Sequence, residues 1–179
     1  MDIRKILTYT DNCRRLLQQT LEAHPEALAQ PIETISQYRT IHALVAHCIG
    51  AEQRWLEQRL CGQEASARYE TQAAETQEGL FRDWDHVRAK TRAFIDTLGS
   101  PDNPCHLHQE IAYTLPHQGV SDVLTVEEIL FHVFNHQIYH LGQISMALQQ
   151  QGIDPPNFDY CLLHNEDALT PAASDTADA

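Results

Sequence analysis

Apolar residues recur three and four positions apart in four stretches of the chain, the spacing that lines one face of a helix. The first carries Ile3, Ile6, Leu7, Cys13, Leu16, Leu17 and Leu21 and stops before Pro25. The second carries Ile41, Leu44, Val45, Cys48, Ile49, Trp55, Leu56 and Leu60, with Gly62 as a C-terminal stop, and predicts a helix from residue 36 or 40 to 61. The third, from Leu80 through Phe81, Trp84, Val87, Thr91, Phe94 and Ile95 to Leu98, is broken by Gly99, Ser100 and Pro101. Between Cys105 and Val123 the period shortens: Ile111, Tyr113 and Leu115 alternate with Ala112 and Thr114, and His117, Gln118 and Gly119 supply a turn, so a short hairpin or extended loop is expected. Thr125 and Glu128 form a capping box that opens a fourth helix, Val126 to Gln151, closed by Gly152. Pro155 and Pro156 end further helix, and residues 166–179 read as a flexible acidic tail after a domain spanning 1–165. The predicted fold is all-α: an antiparallel four-helix bundle with a short extended or hairpin excursion before the last helix.

With 179 residues, 42 % of them hydrophobic, the chain has material for one core and no second domain. Its 12 basic residues against 25 acidic ones give a net charge of −13, which argues against nucleic acid as a partner. No stretch nears the roughly 20 apolar residues that span a bilayer. The opening MDIRKILTYTDNCRRLL sets charges where a secretion signal needs an apolar block, so a cytoplasmic protein with no membrane partner is expected. The 5 cysteines are scattered without a CxxC pair and read as reduced thiols.

The anomaly is the count of 11 histidines. His132, His136 and His140 follow one another in i, i+4 register and share a stripe of the fourth helix. Side chains four apart sit about 5–6 Å apart at Cβ, close enough for two imidazoles to reach one metal ion. The outer pair is separated by roughly 12 Å of helix rise, so two of the three ligate and the third serves otherwise. His136-Gln-Ile-Tyr-His140 has the histidine spacing of a zinc-peptidase helix, but Gln137 stands where that motif has its glutamate, and an amide cannot serve as the base. His47, among Leu44, Val45, Cys48 and Ile49, lies on or beside the buried face of the second helix and needs a partner there. His42 falls off that face and reads as solvated. His132 reads as a rim histidine or as a partner behind a ligand, Cys48 as an inert buried thiol, and Glu52 as a carboxylate at the surface or behind a ligand. Trp55, Phe81, Trp84 and Phe94 read as core. His106, His108 and His117 lie near the hairpin, and nothing in their spacing assigns them.

Three segments together resemble the DinB family of DinB/YfiT-like metalloenzymes: Leu44-Val-Ala-His47-Cys-Ile-Gly-Ala-Glu52-Gln-Arg-Trp55-Leu56, Leu130-Phe-His-Val-Phe-Asn-His136-Gln-Ile-Tyr-His140-Leu-Gly142-Gln143-Ile144, and Gly152-Ile-Asp-Pro155-Pro156-Asn-Phe-Asp159. The resemblance spans residues 1 to 160 or so. It implies a four-helix bundle holding a divalent metal, zinc or nickel, on three histidines, which by position are His47, His136 and His140. It also implies a homodimer formed through helix faces. Leu141 departs from the family, which usually has arginine after the last ligand, while Gly142 and Gln143 are retained. Three imidazoles leave an open position around an ion that takes four or more ligands, the arrangement of a catalytic site. Imidazole-only ligation suits zinc or nickel better than magnesium or calcium.

Two function classes stand side by side. The resemblance extends to relatives that activate a low-molecular-weight thiol, such as bacillithiol or mycothiol S-transferases and maleylpyruvate isomerase, and so implies a metal-dependent hydrolase or a thiol-dependent transferase or isomerase. The alternative is a non-catalytic metal-binding stress or interaction protein, since the chain shows no nucleophile, phosphate loop or general base apart from the histidines.

Overall fold

Each predicted helix is present, and its ends are set by local chemistry. In the computed structural model, which describes residues 2–33, 37–115 and 119–169, α1 spans Ile3–Ala23, α2 Ile41–Gln53, α3 Gln77–Thr97 and α4 Val126–Gln150. Asp2, Thr40, Thr76 and Thr125 cap the four N-termini with side-chain oxygens that accept from backbone N–H groups of the first turn. Thr125 and Glu128 form the reciprocal capping box. The excursion is an antiparallel hairpin of β1 (Glu110–Leu115) and β2 (Val120–Thr125), paired from Glu110↔Thr125 to Leu115↔Val120, with Gly119 at φ 66°. His117 and Gln118, expected in its turn, lie outside the described residues.

The core falls into two clusters that reveal the direction of each helix. One gathers Ile3 and Leu7 from the start of α1, Leu56 and Leu60 after α2, Ile95 from the end of α3, and Val126, Ile129 and Leu130 from the start of α4. The other gathers Leu17 and Leu21 from the end of α1, Ile41 and Leu44 from the start of α2, Leu80 and Phe81 from the start of α3, and Leu148 from the end of α4. Thus α1 and α4 run one way and α2 and α3 the other. The bundle corrects the simple antiparallel expectation: α2 and α3 are parallel neighbours, as are α1 and α4. The polar stretch 61–76 makes this possible. An extended chain of that length reaches about 50 Å, more than enough to return along a 20-residue helix of about 30 Å.

Three further features differ from the sequence expectation. The second helix does not continue as α-helix to residue 61, because Arg54–Leu60 is wound as a π-helix. Helical structure also resumes after Pro156, in α5 (Tyr160–Leu163) and a 3-10 turn at Glu166–Leu169. Tertiary contacts hold it: Leu163 is buried, Tyr9 donates to the Phe158 carbonyl at 2.7 Å, and Asn12 donates to the Leu163 and Asn165 carbonyls. The first residues of the expected tail are therefore placed, with Ala168 and Leu169 against the core, and 170–179 lie outside the described residues. No helix among the described residues is long and apolar enough to cross a membrane.

Candidate metal centre

Antiparallel packing of α2 on α4 brings residues of opposite sequence order together. Trp55 meets His132, Glu52 meets Gln137, and His47 meets both His136 and His140. The helical i, i+4 register stacks His136 and His140 on one face of α4, with Nε2 of one 3.2 Å from Nε2 of the other. His47 closes the group, and one ring nitrogen from each of the three lies within 4.8 Å of the others. Its ring centroid is 5.0 Å from that of His136 and 4.9 Å from that of His140.

The far side of two rings is held. His47 Nδ1 lies 3.1 Å from Oε1 of Glu70 and 2.7 Å from the Tyr38 hydroxyl, and the Tyr38 ring stacks on the imidazole at 4.4 Å. His140 Nδ1 lies 2.7 Å from Oε1 of Gln143. An Nδ1–H donated to these oxygens leaves the lone pair on Nε2, the nitrogen that can face a shared ion. Burial, joined by the nearby His140, His47 and His132, pushes the His136 imidazole down to about 3, and burial likewise lowers His140. The two rings of α4 are thus neutral at ordinary pH and present electron pairs rather than protons.

This donor set fits a divalent ion. Nitrogens about 2.0–2.1 Å from one ion lie roughly 3.0–3.5 Å apart around a tetrahedron, the spacing at which His136 and His140 already stand. The donors are imidazoles alone, which disfavours calcium and magnesium.

The other residues singled out from the sequence separate clearly. His132 is exposed, packs on Trp55 with ring centroids 4.8 Å apart, and stays outside the three-ring group. His42 is not simply solvated: its Nε2 lies 2.8 Å from the Ala74 carbonyl oxygen. His106 and His108 line a cleft with Ile3, Arg4, Ile95 and Leu98 at the hairpin end of the bundle. Cys48 is buried, and desolvation pushes its thiol far above the usual range, in keeping with an inert role. Trp84 and Phe81 are core, whereas Trp55 and Phe94 are half-buried at its edge. Leu141 is 3 % exposed and packs in the larger core cluster, so an apolar contact replaces whatever an arginine there would make.

Glu52 corrects the surface alternative most sharply. It is 1 % exposed, accepts from Thr91 at 2.6 Å and from Gln137 Nε2, and lies 3.3 Å from the Arg88 guanidinium. Gln137 in turn accepts from Arg88. Gln137, which follows His136, therefore points into the bundle, toward Glu52 and Arg88.

Sequence reasoning missed Tyr38, Glu70 and Arg54. Glu70 sits in a 3-10 turn, Tyr69–Thr71, within the polar crossover. Tyr69 anchors this turn by its burial and by donating to Asp83 at 2.8 Å. No periodicity marks a single carboxylate in such a segment. Gln143, noted only as a retained family residue, proves to hold His140.

The model of the DinB family matches residues 2–172 of the chain. No curated protein matches it.

Proposed function

The chain belongs to the DinB family, and from that premise we propose that His47, His136 and His140 hold one divalent ion, zinc or nickel, in a cytoplasmic metal-dependent hydrolase or thiol-dependent transferase or isomerase. The observation that carries the reading is the convergence of three ring nitrogens within 4.8 Å, two of the rings being held from behind so that Nε2 faces inward. When bound, such an ion supplies Lewis acidity at an open coordination position, where a low-molecular-weight thiol or water becomes more acidic. The chain's own contribution is to fix the imidazoles and to keep His136 and His140 neutral by burial. Tyr113, Trp55 and His132, in contact in series at tilted angles beside the group, supply an aromatic wall against which a small substrate can lie. The exposed Phe131, Tyr139 and Met146 of α4 support a homodimer as part of the same reading, checked by sedimentation equilibrium.

The function is tested by incubating metal-loaded protein with a panel of thiols and electrophiles and with ester and amide substrates. Turnover that disappears in His136→Ala supports the enzyme. Silence across the whole panel, with metal still bound at one ion per chain, favours a non-catalytic metal-binding protein instead.

A further inference from the structure

We propose that Glu70 is a positioning residue for the histidine centre: clamped by Arg54 and admitted by Gly50, its carboxylate fixes the His47 ring and strengthens it as a donor to a divalent ion. The inference rests on the three-histidine reading, but it concerns residues outside that set.

Its first support is the hold on the carboxylate. Arg54 grips Glu70 with both terminal nitrogens, Nη1 to Oε2 at 2.7 Å and Nη2 to Oε1 at 3.0 Å, and Arg68 approaches Oε1 at 3.5 Å. A forked guanidinium pair fixes orientation as well as charge. Oε1 is then left facing His47 Nδ1, and a carboxylate that accepts this proton sets the ring angle and raises the basicity of Nε2. Glu70 thereby brings negative charge to a group whose three donors are all imidazoles.

The second support is a glycine. Gly50 lies inside α2 three residues after His47, on the same side of the helix, where glycine is about 1 kcal/mol worse than alanine. A Cβ at this position would stand 2.6 Å from Glu70 Oε2 and 3.0 Å from Arg54 Nη1. The missing side chain is therefore the seat of the Glu70–Arg54 pair. A Cβ here requires the Glu70–Arg54 pair to shift from the position in which Oε1 faces His47.

The test measures zinc affinity by competition with a chromophoric chelator, the absorption spectrum of the cobalt(II)-loaded protein, and the melting temperature of the zinc-free protein. Glu70→Ala is expected to weaken zinc about 10- to 100-fold and to shift the cobalt bands, with Glu70→Gln falling between it and the parent. Gly50→Ala is expected to weaken zinc in the same direction while leaving the zinc-free melting temperature unchanged or raised, because alanine favours the helix. A merely structural role would move affinity and melting together. In Glu70→Ala the added Gly50→Ala change should cost nothing more, since the two act through one contact. Parental zinc affinity and cobalt bands in Glu70→Ala, alongside loss of zinc in His47→Ala, would overturn the proposal and leave the three-histidine reading intact. Parental affinity in His47→Ala would overturn both. Should Glu70→Ala fail to fold, Glu70→Gln and Gly50→Ala decide the matter by the same criteria.

Discussion

Around Glu52 and around His47, only five residues apart on α2, the bundle buries polar groups under opposite rules. At Glu52 every helix contributes a charge or its partner: Asp11 from α1, Glu52 from α2, Arg88 from α3 and Gln137 from α4. Opposite charges meet there, Arg88 Nε and Asp11 Oδ1 lying 3.3 Å apart as an ion pair without a hydrogen bond, and much of the cost of desolvating the charges is offset within the protein. At His47 the groups that converge are ring nitrogens, and two of the three rings turn Nδ1 outward to Glu70 and Gln143 so that a lone pair is left on Nε2. A group of that kind can be completed by a cation supplied from outside. The contrast separates a buried polar cluster that specifies the fold from one that awaits a ligand.

The largest expected effect breaks the first cluster. Arg88→Met strips the buried Glu52 of its guanidinium and leaves Asp11 to Arg92 and Arg14, and chemical denaturation should show a loss of about 3–5 kcal/mol. If stability changes by less than about 1 kcal/mol, the network is not holding the helices in register. Removing the cation tests the second cluster. With free zinc about 100-fold above its dissociation constant, a chelator should cost about 2.7 kcal/mol, or roughly 5–10 °C in melting, while the chain stays folded. Single alanine substitutions at His47, His136 or His140 should abolish stoichiometric metal and this chelator effect, whereas His42→Ala and His132→Ala should keep both.

Acid sharpens the comparison from another side. His136 is neutral in the folded, metal-free protein down to about 3, against an ordinary value of 6.5, so as the pH falls the unfolded chain takes up the proton first. This contribution to stability is complete above pH 6.5 and is lost progressively below it, by about 1 kcal/mol at pH 5.5. Denaturation of metal-free protein across this range should show the loss, and His136→Gln should flatten it. The smallest effect is a control remote from both clusters: Thr125→Ala, which removes the capping box of α4, should cost about 1 kcal/mol by denaturation and leave metal binding unchanged.

Local signals carried much of this. The caps at Thr125 and Glu128, the apolar spacing of α1, α3 and α4, and the alternation at Ile111, Tyr113 and Leu115 depend on neighbours within a few residues, and the structure follows them. The juxtaposition of His136 and His140 was legible for the same reason, since an i, i+4 pair is a property of one helix. His47 was different. Its place beside the buried face was visible, but its meeting with α4 came from family resemblance rather than from spacing.

Helix period, capping and β alternation are short-range, so most elements and the faces they bury could be read along the chain. Which faces meet, and in which direction, emerged from packing. The parallel run of α2 and α3 depends on how the crossover spends its length, and the apolar spacing does not distinguish the π-helix at Arg54–Leu60 from continued α-helix. Glu52 looked like surface because its partners, Thr91, Arg88 and Gln137, are 36 or more residues away. Glu70 left no pattern at all. Its position against His47 arises from a buried Tyr69, a forked bond to Arg54 and the absent side chain of Gly50, which converge only once the crossover has folded back on α2.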